Sequence, residues 1–178
     1  MRAFLAIPLP PPTRQALASV ASQIEGLRAQ KPHTLHLTLR FLDDIADPAP
    51  IVEAITPVAA AHEPFEMSLE RIGVFPPKGA PRVVWVGLGE GEMQAGALAA
   101  GVENALVPLG FRRERRTWHG HVTLGRFRSP PGRGRDLVDE DRRFGRVPAE
   151  KLVLFESNLT PEGAVHEVVQ EMSLGHAM

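Results

Sequence analysis

Cysteine is absent from the 178-residue chain. That excludes disulfides, thiol catalysis and cysteine-ligated zinc, and it fits a reducing compartment. Long apolar runs are absent too, and none approaches the length of a membrane span. The opening stretch, MRAFLAIPLPPP, has an apolar run too short for a signal peptide, and prolines end it without a cleavage-like site. The expected location is the cytoplasm, with no membrane partner. Net charge is nearly missing as well: the formal value is −1, so no global field draws the chain to nucleic acid or membrane.

What charge there is lies unevenly. Between Phe111 and Arg146 stand eleven arginines and five acidic residues. The segment is either the footprint of an anionic partner or a solvated basic loop. The length suits one compact unit with two lobes, long enough to bury a real core. Hydrophobic residues at 43% and charged residues at 23% are ordinary for a globular protein.

Periodicity and turn signals order the elements. Arg2 to Leu9 reads as a strand and Thr13 to Arg28 as a helix, with Pro11 and Pro12 at its entry. His33 to Leu42 alternates like a strand. Ala49 to Ala61 suggests a helix weakened by Pro57. Phe65 to Phe75 and Arg82 to Leu88 read as strands around the turn Pro76 to Pro81. Glu92 to Leu109 is helical in pattern despite Gly96 and Gly101. Thr117 to Phe127 reads as a strand, Arg128 to Arg143 as an exposed loop, and Lys151 to Leu159 with Val165 to Leu174 as a hairpin. Helices and strands mix without regular βαβ alternation. The expected class is α+β, with largely antiparallel sheet.

One phrase is spelt twice. HLTLRFL opens at His36 and HVTLGRF at His121, 85 residues apart in a chain of 178. Each follows a helix and sits on an expected strand, so the chain reads as two similar lobes about an approximate two-fold. Seven histidines and seven threonines give roughly 0.3 His-x-Thr triplets by chance. Two copies with matching apolar positions therefore demand a reason. On a strand, His36 and Thr38 share one face, and so do His121 and Thr123, while the intervening apolar residues anchor the other face. A two-fold brings the polar faces to one cleft.

Histidine titrates near neutrality, so one imidazole can be a base while another is an acid. Neither phrase contains Asp or Glu, and two histidines alone make a poor metal site. Nothing signals a serine nucleophile. In-line attack of water on phosphorus fits, because the entering and leaving oxygens need a base and an acid on opposite sides. Threonine hydroxyls can donate to the non-bridging oxygens. Arg40 lies at even spacing from His36 and faces the cleft on a regular strand. Arg126 lies at odd spacing from His121 and needs a bulge at Gly125, or a strand end, to turn inward. Either guanidinium can clamp a phosphate. Phe41 and Phe127 are read as core, with base stacking as the alternative. His33, His62, His166 and His176 are read as surface or structural, and His119, which shares the parity of His121, lacks the Thr and Leu that repeat the first phrase.

At these residues the sequence resembles the two-histidine phosphoesterase superfamily, and within it the LigT-like RNA 2′,3′-cyclic phosphodiesterases. RAFLAIPLP, HLTLRFLDD, FPPKGAPRVVWVGL, HGHVTLGRF and LVLFESNLTPEG carry the likeness. The resemblance implies a single two-lobed domain over residues 1–178 with a central cleft. It implies hydrolysis of a 2′,3′-cyclic phosphate to a 2′-phosphate with no metal or cofactor, and in some members joining of RNA ends through a 2′,5′ linkage. His36 and His121 become the catalytic pair, with His36 as acid toward the 3′ oxygen and His121 as base toward water. Thr38, Thr123 and Arg126 bind phosphate. The family's proline before the second histidine is replaced by Gly120. The expected partners are RNA ends or nucleotides bearing a cyclic phosphate, with no obligate protein partner. An RNA-end binding module or 2′-5′ ligase with slow hydrolysis is the alternative, and a small two-histidine metal protein a third reading.

Overall fold

Each copy of the phrase opens a strand whose leucine and valine side chains are buried and whose histidine and threonine are half-buried. The structure, a computed structural model, describes residues 1–131 and 135–175. In chain order the elements are β1 (Arg2–Pro8), α1 (Pro11–Ser22), β2 (Leu27–Ala29), β3 (His36–Asp44), α2 (Ala49–Ala61) and β4 (Phe65–Phe75). There follow β5 (Val83–Leu88), α3 (Glu92–Leu106), β6 (His121–Phe127), β7 (Asp139–Ala149), β8 (Lys151–Thr160) and β9 (Gly163–Ser173). The class is α+β, as expected, with two sheets and every strand pairing antiparallel.

The four-stranded sheet runs β3-β1-β8-β9 and the five-stranded sheet β2-β6-β5-β4-β7. The repeat is visible in the pairing: β1, α1 and β3 form a strand–helix–strand unit, and so do β5, α3 and β6. In each unit the phrase opens the second strand. The units do not keep to themselves. β4, from the first half, completes the sheet of the second, and β8 and β9 complete the sheet of the first. β3 and β6 meet where the sheets face each other.

The core is one cluster that draws on both sheets and all three helices, with Leu5, Ile7, Leu17, Ile55, Leu69, Leu98, Val122 and Leu124 all fully buried. α2 runs through Pro57 because that residue is exposed, so the carbonyl it leaves free faces water. α3 tolerates Gly101 because α2 crosses there: a Cβ would sit 3.0 Å from Val58. No helix among the described residues is long and apolar enough to cross a membrane.

Three expectations are corrected. α1 ends at Ser22, not Arg28, and Gly26 (φ 77°) turns the chain so that Leu27–Ala29 lies along β6. Ile24 and Leu27 reach the core from this turn and strand, mimicking helical spacing. The strand of the second phrase begins at His121, not Thr117. Much of the expected loop Arg128 to Arg143 is structured, since β7 takes in Asp139 onward; residues 132–134 lie outside the described residues. β7 pairs only with β4, and most of its side chains are exposed. An edge strand of that kind has no alternation to betray it.

Candidate active site

The strands carrying the two phrases share a distortion. In β3, Ala6 pairs with Thr38 and Leu5 with Arg40, which leaves Leu39 as an extra residue. In β6, Trp85 pairs with Thr123 and Val84 with Gly125, which leaves Leu124 extra. Both bulges fall on the last residue of the His-x-Thr-Leu unit. A bulge reverses the alternation beyond it. His36 and Thr38 therefore face the cleft with Phe41, while His121 and Thr123 face it with Arg126.

All six sequence-predicted positions border one cleft of about 540 Å³: His36, Thr38 and Arg40 from one sheet, His121, Thr123 and Arg126 from the other. The two imidazoles thus approach from different walls. The ring of His36 stacks on Phe4, with centroids 4.6 Å apart and planes at 24°. That of His121 meets Phe75 edge-on at 5.3 Å and Trp85 at 6.3 Å. Each ring also hydrogen-bonds the backbone two residues upstream. His121 Nδ1 donates to the His119 carbonyl at 2.8 Å, and His36 bonds the backbone of Thr34. A carbonyl only accepts, so Nδ1 of His121 carries hydrogen and Nε2 is the nitrogen free for proton transfer.

Burial sets the charge of these rings. It pushes His36 down to about 4, helped by the nearby His166 and opposed by the bond to Thr34. Burial likewise lowers His121, opposed by its bond to His119, with the charges of His119 and Arg126 adding to the depression. In both imidazoles burial favours the neutral form.

Arg40 is a correction. The bulge at Leu39 turns its side chain away from the cleft toward α3, where only 9% of it is exposed. Nε pairs with Glu103, Nη1 donates to the Phe41 carbonyl at 2.5 Å, and Nη2 donates to the Arg112 carbonyl. It borders the cleft, but these bonds hold its guanidinium against α3 and the segment that follows it. Arg126 is exposed at the cleft and forms no ion pair among the described residues, yet Gly125 is not the bulge expected there. A Cβ on Gly125 would stand 2.5 Å from the Arg28 carbonyl oxygen, so glycine is required for β2 to close on β6. Gly120 is tight for a similar reason, against Leu88 and the Trp118 ring. Trp118 Nε1 donates to the Thr38 carbonyl at 3.3 Å, tying the approach to the second phrase to the strand of the first.

Sequence reasoning missed two residues. Phe41 is 59% exposed on the cleft wall, not core. It holds the place in β3 that Arg126 holds in β6, each five residues beyond its histidine. His166, read as surface or structural, lines the cleft with its ring 5.3 Å from that of His36 and 4.9 Å from Phe4. Burial lowers its proton affinity, with His33 contributing. No motif surrounds it in the sequence. Phe127 is core, His62 bonds the Val58 carbonyl, and His176 lies outside the described residues. Among the described residues no group of three or more metal-ligating side chains stands together.

The family described as LigT like Phosphoesterase matches the chain twice, over residues 7–85 and 87–166, one match to each half. An Archaeoglobus fulgidus RNA 2′,3′-cyclic phosphodiesterase is 33% identical over 174 residues, covering 94% of this chain and 97% of the relative. A Thermus thermophilus RNA 2′,3′-cyclic phosphodiesterase is 34% identical over 189 residues, covering 98% and 90%. A solved structure from Thermus thermophilus superposes with a TM-score of 0.83 at 30% identity, covering 99% of this chain and all of that one. Escherichia coli LigT complexed with 3′-AMP superposes with a TM-score of 0.76 at 22% identity, covering 98% of both. With both halves matched and such relatives spanning nearly its whole length, the chain belongs to the LigT-like phosphoesterases.

Proposed function

We propose that this chain is an RNA 2′,3′-cyclic phosphodiesterase whose two phrases, within one two-lobed cytoplasmic domain over residues 1–178, supply an acid and a base to the same phosphorus. The observation that carries this reading is the pair of bulged His-x-Thr-Leu strands bordering one cleft from two sheets. Relatives of like length bear that activity as their name.

The chemistry follows from the positions. Nε2 of His121 removes a proton from water as its oxygen attacks phosphorus. The bond from phosphorus to the 3′ oxygen breaks on the far side, and His36 protonates that oxygen, which leaves a 2′-phosphate. Thr38 and Thr123 donate to the non-bridging oxygens as charge builds there, and Arg126 balances that charge. Burial favours the neutral form of His36, but a bound anion favours the charged imidazole and restores the proton the acid must carry. Phe41 offers the base or sugar an exposed ring beside the phosphate.

The test is incubation of a nucleoside 2′,3′-cyclic phosphate in chelator, with the product ester identified. A 2′-phosphate is expected, with near-complete loss of turnover in His36→Ala and His121→Ala. Full activity in both variants overturns the assignment. The exposed arginines near the cleft favour a second reading, as an RNA-end binder or ligase. Joined strands, or retention of cyclic-ended RNA without reaction, would select it.

A further inference from the structure

The fold sorts the arginines of the basic segment into two groups. Arg143 and Arg146, on edge strand β7, are paired with Glu70 at 3.7 Å and Glu90 at 2.8 Å. Arg112, Arg113, Arg115 and Arg116 are different. All four are exposed on the segment joining α3 to β6, and none forms an ion pair with a carboxylate among the described residues.

Four neighbouring guanidiniums repel each other, yet this segment is pinned. Arg40 donates to the Arg112 carbonyl and reaches Glu114 Oε1 at 3.5 Å. Glu103, on α3, holds Arg40 with one oxygen and accepts from the Glu114 backbone N–H at 3.2 Å with the other. One buried arginine and one helix glutamate therefore hold the segment in place from beneath and leave the outer guanidiniums in water.

Between this segment and the end of β3 lies a groove of about 400 Å³. Arg40, Asp43, Glu114 and Arg116 border both the groove and the histidine cleft, so the two adjoin. Its acids are Asp43 and Glu114, and Glu114 shares Arg40 with Glu103. Arg112, Arg113, Arg115 and Arg116 outweigh both acids, four charges to two.

We propose that this groove is a track for single-stranded RNA, in which these arginines hold backbone phosphates of the nucleotides preceding the cyclic end. The inference rests on the hydrolase reading and names its substrate class as a strand rather than a free nucleotide. A cleft of about 540 Å³ has room for about one nucleotide. A cyclic phosphate terminates its strand at the 3′ end, so every further nucleotide leaves the cleft on the 5′ side, and the arginine groove opens from it. Guanidinium forks match phosphate oxygens and keep their charge at any working pH.

The experiment compares kcat/KM for an RNA octamer ending in a 2′,3′-cyclic phosphate with that for cytidine 2′,3′-cyclic phosphate, from 50 to 300 mM KCl. The octamer should be preferred and should lose more with salt. Each single-strand phosphate contact steepens the log–log slope by about 0.7, so three contacts predict a fall of about 40-fold across that range. R112Q/R113Q/R115Q should abolish the extra slope and lower octamer turnover at least tenfold, while mononucleotide turnover stays within twofold. Arg116 is left intact because it also borders the cleft. Equal kcat/KM and equal slopes for the two substrates overturn the track, as does a triple variant that keeps the octamer preference. Inhibition of octamer turnover by polyglutamate, as strong as that by a linear RNA octamer of equal charge, would also overturn it and assign the groove to an acidic protein. Loss of mononucleotide turnover in the wild type would strike the hydrolase reading instead.

Discussion

His36→Gln should flatten the acid side of the stability profile. In the unfolded chain the imidazole takes its proton near pH 6.5, and in the folded cleft near pH 4. Between these values the unfolded state holds more protons than the native state, so stability falls as pH falls. None of this penalty is felt well above pH 6.5. At pH 4 the native ring is half protonated and the unfolded one fully, so the loss from this residue alone is about 3 kcal/mol. That is a large share of a typical domain's stability. The assay is urea unfolding at pH 7.5 and pH 4.0 for wild type and variant. His121 and His166 are shifted in the same direction but remain in both proteins; His121 drops out of the difference, and His166, coupled to His36, adds a smaller contribution to it. The wild type should lose about 3 kcal/mol more than His36→Gln between the two pH values. Equal losses would mean that His36 is not held neutral by burial, and the argument for an acid recharged by the bound anion would fall.

Four further outcomes are expected. Thr123→Ala should lower kcat by about 10–1000-fold, as loss of a preorganised donor does, with the urea midpoint little changed. Arg40→Met should cost about 3 kcal/mol in urea, because it strips a buried partner from Glu103 and Glu114, whereas Arg126→Met should leave the midpoint nearly unchanged and lower kcat/KM about 100-fold. Gly125→Ala should cost about 1–3 kcal/mol, since its methyl would collide with the Arg28 carbonyl. His166→Phe removes a charge that lowers His36, so the acid limb of the kcat/KM profile should move to higher pH while the aromatic packing around Phe4 is kept.

The strands and helices that bury one face were legible, because burial imposes a period on the sequence. α2 and β4 begin and end where the pattern said, and the fold class followed from element order. β7 was not legible. It pairs along one edge, leaves most side chains in water, and its arginines and acids carry no alternation. The end of α1 failed for the opposite reason. Ile24 and Leu27 do reach the core, but a turn at Gly26 and a short strand deliver them, and spacing alone does not distinguish that path from two more turns of helix.

The site was legible down to the bulges and no further. Duplication exposed His36, Thr38, His121 and Thr123, whose facing needs only the alternation before Leu39 and Leu124. Beyond those residues the alternation reverses in both strands, and each arginine exchanged roles with what the spacing implied. Arg40, in phase by count, is turned into the protein and becomes the anchor of the arginine segment. Arg126, out of phase by count, is turned into the cleft. In the first strand the position matching Arg126 is Phe41, and in the second the position matching Arg40 is Gly125. The duplicated framework thus carries a guanidinium on one wall and an aromatic ring on the other. A two-fold site that must hold an asymmetric ligand, phosphate toward one side and nucleoside toward the other, needs that inequality. Its two halves repeat at the histidines and threonines proposed to act on the phosphate, and differ at the next residues outward, where the proposed ligand itself ceases to be symmetric.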